Sequence, residues 1–362
     1  MAFTTYPTHP SAEFLKLQQA IRSLNGVRLT DALPKSLYEL RVWRGVLGLV
    51  VSAALYIGSL AAIAHAPHWL LVGPLWLLAG LGGVGLLAIA HECGHHTFCR
   101  SWRLNHWVGQ LVLLPMLFPF HGWRHTHNQH HHHTNNIELD TDWVPLPAEQ
   151  YLRMGRWDRL VYRAVRSWLF WFGTVRYQWH SGFKPGSFPQ RQARNDVRLS
   201  IVAVALFAAT YLPLLAYFTG WQGLLLYFVG PWIGIHVWFS LTTLMQHVRQ
   251  DTPFLTSKNW TPNAARLLLT TAYRLPAPLQ FVTHNLLVHT PHHVAPIVPF
   301  YNLPAAQAAL QAAYPGLLHE RRFTLGEFLR VLRHCHLYDA HHGFYVPFRD
   351  LHKPAASRRA RA

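Results

Sequence analysis

Seven histidines crowd into residues 121–136, HGWRHTHNQHHHHTNN, and two further clusters accompany them, HECGHH at 91–96 and HTPHH at 289–293. Imidazole suits zinc, copper, iron and nickel as a ligand. The tract lies in mid-chain, where an expression tag is not expected, so a loose metal-soaking run is the reading that geometry must exclude. A helix turns about 100° per residue. Seen from His127, His130 and His131 fall within an arc of about 100°, whereas His125, His132 and His133 point away. His289, His292 and His293 repeat that arc, and His91 and His95 lie one turn apart on one face, with His96 rotated off it. Each cluster thus reduces to HxxxH or HxxHH, giving eight converging imidazoles, and His247, closing a later apolar run, is placed to be a ninth. That is too many for one ion, so two metals are the natural reading. A pair of irons held by imidazole can bind O2 and generate an oxidant able to attack an unactivated C–H bond, which acid–base side chains cannot do.

Two other chemistries use parts of the same pattern. HECGH at 91–95 is formally HExxH, in which Glu92 would be the general base of a zinc protease. That reading leaves both HxxHH clusters without a task. In the oxidative reading Glu92 accepts a hydrogen bond and orients a ligand imidazole. A metal transporter would need polar ligands within its spans, where His236 is the one clearly central candidate.

The elements that must hold these clusters are written in an apolar chain. Of 362 residues 51% are hydrophobic and 13% charged, against about 25% charged in soluble domains. A net charge of +17 would by itself suit a nucleic-acid binder, but no Lys or Arg falls within 45–99 or 199–248, the two apolar blocks. Basic residues kept to one side of apolar runs are a membrane signature, and nucleic acid is not an expected partner. About 20 apolar residues span a bilayer core. Gly45–His65 and His68–Ala90 form one expected hairpin, Leu199–Phe218 and Trp221–Met245 a second. Both short connections lack Lys and Arg, so the charge rule sets them outside and places the termini, the 91–198 segment and all three clusters in the cytoplasm. The chain then divides into 1–44, a hairpin at 45–90, a cytoplasmic segment at 91–198, a hairpin at 199–246 and a cytoplasmic segment at 247–362.

Trp107–Phe120 is too short to cross and carries Pro115 and Pro119, which predicts a re-entrant or interfacial hairpin. Arg153, Arg156, Arg159, Arg163 and Arg166 recur at three- and four-residue steps, with Trp157, Leu160, Val161, Trp168 and Leu169 off the stripe. That pattern predicts a helix lying on an anionic membrane surface. The three cysteines, Cys93, Cys99 and Cys335, form no CxxC pair or disulfide framework. The first forty residues lack the apolar core of a signal peptide. Thr8-His9-Pro10 does not extend to a haem-binding HPGG, and the RRARA tail is expected to be a disordered basic end.

With the residues laid out this way, the chain resembles the membrane-bound fatty acyl desaturases, and within them the plastid and cyanobacterial ω-6 (Δ12) acyl-lipid enzymes. HECGHHTF resembles their HDCxH box, and LVLLPMLFPFHGWRHTHNQHHHHTN their apolar stretch followed by WRxxHxxHHxxTN. DTDWVP at 140–145 follows as an acidic-Thr-x-Trp segment does there, FVTHNLLVHTPHHVAPIVPFYNL resembles HxPHHxxxxIPxYNL, and HLYDAHHGFYVPF the closing segment. The likeness covers about residues 40–350. It implies an all-α integral membrane protein of the cell membrane, with four transmembrane helices in two hairpins and a cytoplasmic helical cap holding a di-iron site. It implies removal of two hydrogens from adjacent methylenes of a lipid-bound acyl chain, with O2 reduced to water by electrons from ferredoxin or a similar donor. By motif match His91, His95, His127, His130, His131, His289, His292 and His293 are the iron ligands, and His247 matches the extra histidine of QHxxxxxPF. Glu92, Asp140, His284 and Asn285 are implied to stand behind the ligands. Relatives with the same boxes place other double bonds, hydroxylate, or oxidise carotenoid rings, so a di-iron hydroxylase or ketolase is the alternative within the superfamily. Glu in place of the more frequent Asp at 92, and the extra His96, His132 and His133, are the departures.

Overall fold

Small residues and long apolar runs determine how this chain packs. The computed structural model describes residues 12–339 and 343–351. Thr8-His9-Pro10 and the basic tail lie outside them, as do residues 340–342 of the closing segment. In chain order the helices are α1 (Ala12–Ser23), α2 (Val42–Ala64), α3 (Val72–Gly94), α4 (Trp102–Leu113), α5 (Phe120–His133), α6 (Ala148–Arg153), α7 (Arg156–Val165), α8 (Phe172–Gly182), α9 (Arg191–Leu224), α10 (Gly230–His247), α11 (Pro262–Leu268), α12 (Ala277–Val282), α13 (His289–Val294), α14 (Leu303–Ala313) and α15 (Leu325–His334). Two short strand pairs complete the described fold, β1 (Thr271–Arg274) parallel to β2 (His319–Arg322), and β3 (Leu337–Asp339) antiparallel to β4 (Phe344–Val346).

Among the described residues, three helical stretches are long and apolar enough to cross a membrane: Val42–Ala64, Trp69–Gly94 and Arg191–His247. The last holds 57 residues and is not straight. Gly220 has φ 68° and ψ −173°, outside helical values, and a side chain would resist that left-handed φ. Tyr211 and Phe228 on either side of it bring their rings to 6.3 Å, whereas 17 residues of straight helix would separate them by about 25 Å. The chain therefore doubles back at Gly220. A single π turn at Leu225–Val229 follows.

Close packing of α3 anchors the bundle. A Cβ on Gly80 would lie 2.2 Å from the Gly234 carbonyl carbon, and one on Gly82 would lie 2.6 Å from the Tyr56 backbone nitrogen. Small residues on two faces of α3 thus let α10 approach on one side and α2 on the other, the device by which apolar helices associate where burial of apolar surface gives little drive. The core around α3 continues into α4 and α5 through Leu113, Met116, Phe118, Phe120 and Trp123.

The segment expected as a short hairpin is α4, a 3-10 turn at Leu114–Met116, and the start of α5. Its non-crossing length agrees with the expectation, and Trp102, Leu104, Trp107 and Leu111 stand exposed on its outer side. The arginine stripe is corrected in one place. A break at Met154 and Gly155 separates α6 from α7, and Arg166, just past α7, is 5% exposed. Its Nη2 donates to the Trp143 carbonyl at 2.7 Å, so it braces the interior and does not face a membrane surface. Trp157, Leu160, Val161 and Trp168 remain exposed.

Candidate metal centre

Four elements bring the histidines together. The last turn of α3 and its cap carry His91 and His95, α5 carries His127, His130 and His131, α10 ends on His247, and the six-residue α13 carries His289, His292 and His293. They converge as two groups, His91, His95, His127, His131 and His292 in one, and His130, His247, His289 and His293 in the other. Within each group the ligand atoms all lie within 4.8 Å of one another. The groups adjoin, with the His131 and His293 rings stacked at 4.2 Å. His96, His125, His132 and His133 belong to neither group. His125 points instead toward Asp196 at 3.9 Å, His132 is exposed, and His133 lies beside Trp260.

The nitrogen spacings fit bound ions. His131 Nε2 is 3.0 Å from Nε2 of both His127 and His292, and His289 Nε2 is 2.9 Å from that of His247 and 2.8 Å from that of His293. Ring nitrogens of neutral imidazoles cannot all donate in such a chain, because each ring carries a single N–H. Adjacent ligands on one ion, each about 2.1 Å from it, stand about 3 Å apart. His91 Nε2 and His95 Nε2 are buried with no hydrogen-bond partner among the described residues, a costly state that a bound metal relieves. The donor set is all imidazole, with no thiolate in either group.

Outer contacts fix the rings. Asp140 Oδ1 accepts from His130 Nδ1 at 2.7 Å, and its Oδ2 accepts the Asn135 backbone N–H at 2.6 Å. A carboxylate behind an imidazole orients it and raises its basicity. Glu92 Oε2 accepts from the Thr97 hydroxyl at 2.7 Å and from the Phe300 backbone N–H at 3.0 Å, while Oε1 lies 3.7 Å from His91 Nδ1. The Glu92 side chain thus ties the end of α3 to the loop after α13. His284 and Asn285 both sit at left-handed φ, 52° and 55°. His284 Nε2 bonds the Ser52 hydroxyl at 2.7 Å, and Asn285 pairs with Gln280 and the Phe300 carbonyl. Neither is bonded to a histidine of the two groups; they brace the loop that carries α13.

Burial sets the electrostatics. It holds His95, His127, His131, His289, His292 and His293 well below the ordinary histidine value, with neighbouring imidazoles adding to the effect. Neutral imidazole is the form that binds metal. For His130 burial also lowers the value, but the Asp140 carboxylate more than offsets it and the net shift is upward. A narrow cavity reaches the histidines between Leu87, Trp123, Phe239 and Leu286, with Asp142, Thr174 and Tyr177 on its wall. Burial pushes the Asp142 carboxyl up to about 7, opposed by His130.

Two contributors were not singled out in the sequence. The Thr134 hydroxyl pairs with His293 Nδ1 at 3.1 Å and donates to the His130 carbonyl at 2.8 Å, joining both His-rich helices. Its place four residues after His130 was the available signal. Asp142 faces the cavity although it is two residues beyond Asp140, and nothing in the spacing distinguishes it.

A helical protein with membrane-length apolar helices and two adjoining polyimidazole sites is the class defined by this geometry. Comparison with known proteins narrows it: the fatty acid desaturase family profile matches residues 67–324. The chain is 34% identical over 345 residues to the sn-1 oleoyl-lipid 12-desaturase of Picosynechococcus, covering 95% of this chain and 98% of that one. It is 34% identical over 341 residues to the Synechocystis protein of the same name, covering 93% of each. To the chloroplastic omega-6 fatty acid desaturase of Brassica napus it is 31% identical over 329 residues, 88% of this chain and 71% of that one. The chain belongs to the fatty acid desaturase family and is an oxidoreductase.

Proposed function

We propose that the protein is an acyl-lipid Δ12 desaturase, converting oleoyl to linoleoyl chains in membrane lipids at a pair of iron ions. The observation that carries this reading is the convergence of nine imidazoles into two adjoining groups, in a chain similar over nearly its whole length to oleoyl-lipid 12-desaturases. His91, His95, His127, His131 and His292 are assigned to one iron, and His130, His247, His289 and His293 to the other. When bound, the iron pair supplies O2 activation and removal of two hydrogens from adjacent methylenes, with two electrons from ferredoxin or a similar donor and two protons completing the reduction of O2 to two waters.

The chain's own part is positioning. Asp140 fixes His130 with Nε2 toward its group, and Thr134 does the same for His293. Leu87, Trp123, Phe239 and Leu286 give the cavity an apolar wall beside the histidines, which suits an acyl chain and excludes water from the reacting carbons. The reversal at Gly220 supports four crossings in two hairpins, and the distribution of Lys and Arg supports a cytoplasmic active site and termini. The one desaturase domain, about 40–350, then has its histidine clusters in a cap on the cytoplasmic side.

The test is expression in a host rich in monounsaturated lipids with a reducing donor supplied, followed by fatty-acid analysis. Linoleoyl chains are expected. An unchanged profile with iron-loaded protein present would overturn the assignment, and a hydroxy or differently placed product would select the alternative within the superfamily.

A further inference from the structure

A second, larger space lies on the other face of α8. It is an open groove of about 600 Å³, lined by Val175, Arg176 and Trp179 of α8, by Phe228 and Val229 of the π turn, and by Trp232 of α10. Thr174 and Tyr177, on the opposite face of the same helix, line the cavity that reaches the histidines. One short helix therefore separates an outward apolar groove from the metal-centre cavity.

The wall between them is polar and incompletely bonded. Gln178 Nε2 donates to the Met116 and Leu117 carbonyls at 3.0 and 2.9 Å, and Trp232 Nε1 donates to the same Met116 carbonyl at 3.0 Å. Leu117 is held at φ 52°, a region an L side chain rarely adopts. Gln178 is 6% exposed, yet its Oε1 has no hydrogen-bond partner among the described residues. Buried amide oxygens are nearly always paired, so the wall is held by bonds that leave this side chain partly unsatisfied. Arg176 and His180 line the groove and are exposed, and Lys184 donates to His180 Nδ1 at 2.8 Å.

Resting on the acyl-lipid desaturase reading, we propose that this groove receives the substrate lipid laterally from the bilayer: one acyl chain lies against Val175, Val229 and Trp232, and Arg176 and Lys184 hold a phosphate-bearing headgroup. The apolar lining matches a methylene chain, and Arg176 and Lys184, two cations that both act on His180, match a phosphate. The Gln178 bonds to the Met116–Leu117 turn are the latch that the chain passes on its way to the inner cavity.

The experiment uses full-length enzyme in dioleoyl phosphatidylglycerol vesicles, comparing wild type with Val175→Trp and Arg176→Gln. Iron content reports whether each variant keeps its metal centre. Both are expected to keep it, with the Val175→Trp kcat/KM falling at least tenfold and the Arg176→Gln change confined to a raised KM that vanishes in vesicles of an uncharged glycolipid. A phosphatidylglycerol carrying a photoreactive acyl chain is expected to label residues 172–183 of the wild type. Full activity in iron-loaded Val175→Trp overturns the proposal, and labelling alongside that result identifies a bystander lipid. If Val175→Trp loses iron, the wild-type labelling decides, and its absence from this segment overturns the groove as a lipid site. A wild type that makes no double bond counts against the desaturase reading itself, while labelling still reports on the groove.

Discussion

His131 and His132 are neighbours in a uniform-looking run, yet one joins the metal groups and the other is exposed. Replacing His131 by Ala is expected to abolish activity and iron binding at its group, whereas His132→Ala should keep most of both; equal loss in elemental analysis and turnover would sink the helical-face argument. Asp140→Asn tests the support behind a ligand. It leaves a group of similar size but removes the charge that orients His130, and such losses lower metal affinity or activity by roughly 10–100-fold. Iron titration should show weaker binding in the group of His130 than in that of His131. Unchanged affinity there would mean that Asp140 only holds the Asn135 turn. Most of this scale was legible in the sequence, because helical spacing alone sorts HNQHHHH. The roles of His284 and Asn285 were not: their left-handed backbone and the Ser52 contact depend on a loop folding against α2.

Elements carry the distances between clusters that sequence spacing cannot. α3 and α10 bring the histidines at their ends, His91 and His95 on one and His247 on the other, into adjoining groups, and Gly80 and Gly234 let the two backbones approach closely. A side chain at Gly80 must push the helices apart, and overpacking costs typically about 1–3 kcal/mol. Gly80→Val is expected to lower thermal stability and to reduce iron retention in both groups at once, read by a melting curve and metal analysis. A variant with full iron and unchanged melting would show that the approach is not needed to align the two helices. Helix existence and the two apolar blocks were readable from length and composition, since about 20 apolar residues suffice. The connection expected between Phe218 and Trp221 coincides with the break at Gly220, but the start of α9 at Arg191, ahead of the apolar block, was not readable from the run of apolar residues. Nor was the burial of Arg166, whose periodic place in a basic stripe gave no hint of the Trp143 carbonyl that receives it.

At the scale of the whole molecule, the metal-free chain gathers many buried neutral imidazoles, and this gives its stability a direction with pH. Groups such as His95, His127, His289 and His293 have folded-state values lowered by burial. Below an unfolded value of about 6.5 the unfolded chain takes up protons that the folded chain refuses. Stability is therefore full above about pH 6.5 and falls as the pH drops below it, while His130, shifted upward, opposes the trend. Denaturation of chelator-treated protein in mild detergent should show that fall, and bound metal should delay it, since binding to the folded state alone stabilises it. Stability rising as pH drops from 7 to 5 would show that these imidazoles are not buried neutral.

The central claim is that the two imidazole groups hold two irons in the active enzyme. Elemental analysis of anaerobically purified protein, paired with turnover on oleoyl lipid, tests it most directly. The expected result is two irons per chain, with activity lost and regained in step with iron. Full desaturase activity from protein carrying one metal per chain, or zinc with no iron, would contradict it.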